Sequence, residues 1–118
     1  MPKQEKEFFL SDNIDWNEFS ISENERSSLY KTKILSKDTI TGDTTLILYF
    51  LPDYLSGEDI IIHDYWEEVY ILDGELKDIT LQKRFRKNYY ACRPPGMKHG
   101  PYEVGIEGCK MLVIIKNT

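Results

Sequence analysis

The chain contains only two imidazoles, His63 and His99. A neutral imidazole can bind a divalent cation, pass a proton or simply satisfy a hydrogen bond. His63 lies in Ile61-Ile62-His63-Asp64-Tyr65-Trp66-Glu67-Glu68, so carboxylates follow it within five residues. On a strand, residues 61, 63, 65 and 67 share one face, which selects Glu67 over Glu68. Fully extended, His63 and Glu67 would stand about 13 Å apart, too far to share one ion. The pair becomes a site only if the chain bends between them, and Asp64-Tyr65-Trp66 can supply the bend. His99 follows Arg93-Pro94-Pro95-Gly96-Met97-Lys98, a rigid turn that aims it at the start of the next strand. If the three converge, two imidazoles and one carboxylate leave up to three positions open on a metal. That set suits non-haem Fe(II) oxygenases, and equally Zn²⁺, Mn²⁺ or Ni²⁺. If they do not, these are ordinary hydrogen-bonded histidines and a solvated carboxylate.

The elements that must position these groups read as strands. The chain of 118 residues has one Ala (Ala91) against 23 β-branched residues and 15 aromatics. Branching at Cβ costs rotamer freedom in a helix and packs well on a pleated sheet, so a helical bundle is excluded. Leu, Ile, Val and Phe make up about 27% of the residues, which excludes whole-chain disorder. Strands are expected at residues 29–35, 44–51, 60–65, 68–72, 75–81, 89–93, 98–104 and 110–116. Asp73-Gly74 reads as a hairpin turn, and Lys83-Arg84-Phe85-Arg86-Lys87 as a basic, solvated hairpin tip. Short strands with turn signals every 8 to 12 residues predict an antiparallel sandwich or barrel over residues 29–118. Residues 1–28 are more polar. They are expected to form an arm held by Trp16 and Phe19 against the barrel or a second subunit, with Ser22 and Glu25 as a capping box.

The formal net charge of −5 repels phosphate backbones and argues against a nucleic-acid partner. The longest apolar run, Leu46 to Leu51, is six residues, and a membrane-spanning helix needs about 20. The charged start, Met-Pro-Lys-Gln-Glu-Lys-Glu, lacks the apolar stretch of a secretory signal, so the expected compartment is the cytoplasm. There Cys92 and Cys109 should be reduced, buried and inert.

Taken together, His63-Asp-Tyr-Trp-Glu67, with Gly74 after six further residues, and Asn88-Tyr-Tyr-Ala-Cys-Arg-Pro94-Pro95-Gly96-Met-Lys-His99 resemble the two motifs of the cupin superfamily. Those motifs are G-x5-H-x-H-x3/4-E-x6-G and G-x5-P-x-G-x2-H-x3-N. The sequence departs from them at the first histidine, which falls on Ile61, and at the terminal asparagine, which falls on Glu103. The two outer glycines fall on Leu55 and Asn88. An alternative alignment takes His63 as the first histidine and Tyr65 as the second, but then misplaces the glutamate and Gly74. The words from Glu67 to Leu76 and from Tyr90 to Tyr102 are similar to small bacterial cupins of the acetylacetone and hydroxyacetophenone dioxygenase type, and to the cupin domains of some anti-sigma factors.

The resemblance implies an all-β jelly-roll barrel with a divalent metal in its mouth, Fe(II) by preference, held by His63, Glu67 and His99. It implies a metal-dependent dioxygenase acting on a small diketone or hydroxyketone, with Arg93 or Tyr65 orienting the substrate. Lys98 is a further candidate beside the turn, and Glu103 faces inward if its strand is regular. A non-catalytic ligand-binding or sensor cupin, and a metal-dependent isomerase or lyase, use the same residues. A homodimer is expected.

Overall fold

Strands form where β-branched and aromatic residues alternate with polar ones. They are β1 (Asn17–Ser20), β2 (Leu29–Lys37), β3 (Thr44–Phe50), β4 (Ile61–Ile62), β5 (Trp66–Asp78), β6 (Lys83–Arg86), β7 (Tyr90–Arg93), β8 (Lys98–His99) and β9 (Tyr102–Lys116). The computed structural model describes residues 1–20 and 29–117. The capping box expected at Ser22 and Glu25 lies outside them. The main sheet runs β1-β2-β3-β9-β5-β6, with β7 also paired to β5, while β4 pairs with β8. Every pairing is antiparallel. This is the antiparallel all-β sandwich expected from the strand pattern, in the jelly-roll form that the resemblance implied. Among the described residues no helix is long and apolar enough to cross a membrane.

Strands β5 and β9 form the spine, and they pair in two halves. Trp66–Ile71 lies against Met111–Lys116, and Leu76–Asp78 against Tyr102–Val104, with register shifts between. The shifts change the parity of the inward residues. Glu67, Val69 and Ile71 are buried before the break, Leu76 and Asp78 after it. Bulges of this kind let one long strand serve both layers, because an extra residue bends the strand and increases its twist.

Asp73-Gly74 is therefore not a hairpin, and Gly105–Gly108 does not separate two strands. Gly74 (φ +82°) and Gly108 (φ +71°) take left-handed angles inside continuous strands. Gly74 has the positive φ that a tight turn uses, but here it produces a bend within a paired strand. The reversal comes later, at residues 79–82. There Asp78 Oδ1 accepts the Leu81 N–H at 3.0 Å, and Gln82 takes φ +56°. Consequently Lys83–Arg86 is strand β6, not a hairpin tip, and Arg84 pairs with Glu75 at 3.1 Å.

The core is formed by Val69, Ile71, Leu76, Val104, Met111 and Val113 with Cys109. Cys109 is buried as expected, and Cys92 is exposed; both are free thiols. Trp16 packs on Tyr49 at 6.1 Å, and Phe19 on β1 stacks at 5.1 Å on Tyr30, which lines the barrel cavity. Lys33, buried on β2, donates to Ser11 O at 3.0 Å and lies 4.6 Å from the Trp16 ring. A buried ammonium needs such partners, because an unpaired charge away from water is costly.

The spine is sensitive to one methyl group. A Cβ on Gly74 would meet the Gly108 carbonyl oxygen at 2.1 Å, on top of left-handed strain. Gly74→Ala is expected to lose about 3 kcal/mol or more of unfolding free energy in urea titration. Gly105→Ala, whose Cβ would meet nothing within 4 Å, should be close to neutral. Equal losses at the two positions would refute the bulge argument.

Candidate metal centre

Strand β4 ends at Ile62, so His63 stands just outside it; the chain bends through residues 64 and 65, and β5 begins at Trp66. The bend that the His63–Glu67 spacing required is present. It brings His63 Nε2 to 3.8 Å from Glu67 Oε2. The second half reaches the same place by two backbone devices. The Pro94–Gly96 turn places the Gly96 N–H (φ +84°) on the His63 carbonyl at 2.8 Å. Strand β8 then pairs with β4, with Ile61 directly opposite His99. One ligand atom from each of His63, Glu67 and His99 lies within 4.8 Å of the other two.

The surrounding hydrogen bonds orient this cluster. Arg93 on β7 is opposite Glu67 on β5. Its Nη1 donates to Glu67 Oε1 at 2.8 Å, which leaves Oε2 on the His63 side. Its Nη2 donates to the Tyr102 hydroxyl oxygen at 2.7 Å, and that oxygen lies 2.8 Å from His99 Nδ1. A chain Glu67–Arg93–Tyr102–His99 thus links two of the three groups from behind. In the tautomer where Nδ1–H donates to Tyr102, Nε2 keeps a free lone pair.

The residues present fit a divalent ion. His99 Nε2 is buried and has no hydrogen-bond partner, a costly state for a polar atom unless something else satisfies it. Burial first, then the Arg93 and His63 charges, push the His99 pKa down to about 4 against an opposing effect of Asp78. The ring is therefore neutral near pH 7, as a ligand must be. Ligands each about 2.1 Å from one ion stand at most about 4.2 Å apart.

The other sequence candidates fall into place around it. Tyr65 stacks on His63 with ring centroids 4.6 Å apart, and burial, then Glu67 and Asp64, raise its phenol pKa. Glu68 accepts a hydrogen bond from the exposed Tyr90 hydroxyl. Lys98 is exposed beside the cluster. Glu103 does not turn toward the histidines: it pairs with Lys77 Nζ at 3.7 Å and is not among the cavity-lining residues. The strand expected over 98–104 is interrupted at Gly100-Pro101, between β8 and β9, which removes the regular alternation from His99 on which its inward placement depended. Asn88, standing where the motif has glycine, takes φ +75°, an angle Asn tolerates better than most residues.

Two contributors were missed in the sequence. Tyr102 was only one of several tyrosines near the motifs, and its spacing of three from His99 was the available signal. Asp78 is buried, lines the cavity and accepts the Gly100 N–H at 3.3 Å next to His99; nothing in its sequence context distinguished it. The cluster opens into a cavity of about 730 Å³ inside the barrel.

No protein-family model matches the chain, and no curated protein matches its sequence. Solved structures do match its shape. An RmlC-like cupin from Shewanella frigidimarina is 14% identical with a TM-score of 0.69, covering 100% of this chain and 96% of that one. A polyketide cyclase from Streptomyces resistomycificus is 16% identical, TM-score 0.70, covering 97% and 81%. An acetylacetone dioxygenase from Acinetobacter johnsonii is 15% identical, TM-score 0.67, covering 96% and 74%. Identities this low speak for the fold, and one fold hosts many chemistries.

Two measurements check the site. In metal-stripped protein, NMR titration should give His99 a midpoint near 4 instead of the usual 6.5. Between those values the unfolded chain binds more protons than the folded one, so stability should fall as pH drops through that window; a midpoint near 6.5 would contradict the burial argument. Tyr102→Phe removes the hydroxyl behind His99 and should weaken divalent-metal affinity about 10- to 100-fold in a competition titration. Unchanged affinity would show that Tyr102 does not orient the ligand.

Proposed function

The chain has the cupin fold, and on that premise we propose that it is a metal-dependent dioxygenase cleaving a C–C bond in a diketone or hydroxyketone. The observation that carries the reading is the convergence of His63, Glu67 and His99 to within 4.8 Å at the wall of a ligand-sized cavity. Two imidazoles and a carboxylate are the donor set of non-haem Fe(II) oxygenases and suit Zn²⁺, Mn²⁺ or Ni²⁺ equally; the similarity to dioxygenase-type cupins makes Fe(II) the preferred ion. Such an ion supplies Lewis acidity toward the substrate's oxygens and electrons toward O₂.

The chain's own residues supply the rest. Glu67 is committed through Oε1 to Arg93 and offers Oε2. Tyr102 holds His99 from the far side. Arg93 and Tyr65 both line the cavity and are the residues assigned to orient the substrate. Tyr65, with its raised phenol pKa, remains a hydroxyl near pH 7 and donates a hydrogen bond to a ketone or enolate oxygen. The apolar walls exclude water from the reacting carbon.

A second reading, a non-catalytic ligand-binding cupin, is favoured by one feature: Ile61, opposite His99, occupies the position of the histidine that the motif would add. An isomerase or lyase would use the same three ligands.

Protein purified without a metal-affinity tag and loaded anaerobically with Fe(II) is expected to bind one iron per chain. His99→Ala should abolish stoichiometric binding, and the loaded protein should consume O₂ in the presence of pentane-2,4-dione. Failure to bind any divalent metal would overturn the centre itself. Stoichiometric metal without O₂ uptake on any β-diketone would overturn the oxygenase in favour of the other readings.

A further inference from the structure

The cavity is much larger than the small diketone that the metal centre alone suggests. Its volume is about 730 Å³, within the roughly 300–1,000 Å³ that encloses drug-sized ligands. Pentane-2,4-dione takes about six times the ~30 Å³ that a water molecule occupies in the liquid, or about a quarter of the space. The polarity of the walls is also uneven. Glu67, Arg93, Tyr102 and His99 are joined by hydrogen bonds, His63 touches Glu67, and Asp78 bonds the backbone beside His99. Those groups gather at one region. Much of the remaining wall is carbon, from residues such as Leu48, Phe50, Val69, Leu76, Met111 and Val113.

The mouth has the same character. Ile60, Leu81 and Met97 line the cavity and are each about half exposed, at 48%, 57% and 44%. Large apolar side chains left at the rim of an apolar chamber mark a place where an apolar molecule passes or rests. A barrel evolved for a five-carbon substrate would fill such a chamber with side chains, since protein interiors otherwise pack densely.

We propose that the natural ligand of this site is an amphiphile: an oxygen-bearing head at the His63–Glu67–His99 cluster, and an alkyl or aryl tail on the order of ten carbons in the barrel interior. The head rests on the reading given under Proposed function; the tail rests on the cavity alone. Ala91 is placed to limit the tail. It lies on β7 two residues before Arg93, on the same face of the strand, and lines the cavity with a single methyl group.

A homologous series separates the two parts. Binding of 2,4-alkanediones, from pentane-2,4-dione to tridecane-2,4-dione below their aggregation concentrations, is measured calorimetrically on metal-loaded and on metal-stripped full-length protein. The dissociation constant should fall about three- to fourfold per added methylene over the first several carbons, then level off. The slope should persist without metal, displaced to weaker binding. Ala91→Phe should reduce the tridecanedione-to-pentanedione affinity ratio about tenfold or more, and Leu48→Phe, at another point of the cavity lining on β3, provides a second obstruction should the first not fold. A flat or rising dissociation constant along the series, or an affinity ratio that neither well-folded variant changes, would overturn the tail-binding inference while leaving the metal centre standing. A clear slope in a protein that binds no metal would uphold the tail and overturn only the head.

Discussion

The site exists because the chain after Arg93 turns back onto His63. The Gly96 N–H reaches the His63 carbonyl, and β8 then pairs with β4. Without that closure His99 would stand at the end of a loop, and His63 and Glu67 would be a histidine and a carboxylate at a strand edge. Backbone hydrogen bonds, which carry no chemistry of their own, thus determine the distance between the groups that do.

Electrostatics then fixes how the cluster is presented. Arg93 neutralises Glu67 and also bonds Tyr102, which touches His99. A guanidinium can do this because it offers several donors in a fixed plane. Its charge also helps to keep His99 neutral, although burial contributes more. The consequence is a nearly balanced buried network with one unsatisfied nitrogen, His99 Nε2. A buried, unpartnered nitrogen on a histidine of the cluster is more informative than the mere presence of two histidines.

The spine of the fold sets the shape of the chamber. Bulges at Gly74 and Gly108 carry β5 and β9 through both layers, and the change of parity turns Asp78 inward in place of a neighbour. A regular strand would bury a different set of side chains and give a chamber of different lining. The lining contributed by these two strands and the inward turn of Asp78 are therefore products of one feature of the spine.

Much of this was legible in the residues. The scarcity of Ala and abundance of Ile, Tyr and Thr determined an all-β chain, and the Pro-Pro-Gly turn with its following histidine, together with the His-x3-Glu spacing, determined which three side chains to watch. These are local properties, and local sterics decides them. The sequence could not distinguish a hairpin from a bulge at Asp73-Gly74, because a left-handed glycine serves both; the outcome depended on whether β9 lay alongside. It could not assign Glu103 outward, Asp78 inward or Tyr102 behind His99, because each depends on register between strands far apart in the chain. Tertiary pairing decided those positions, and with them the cavity, since a void belongs to no residue and exists only between walls.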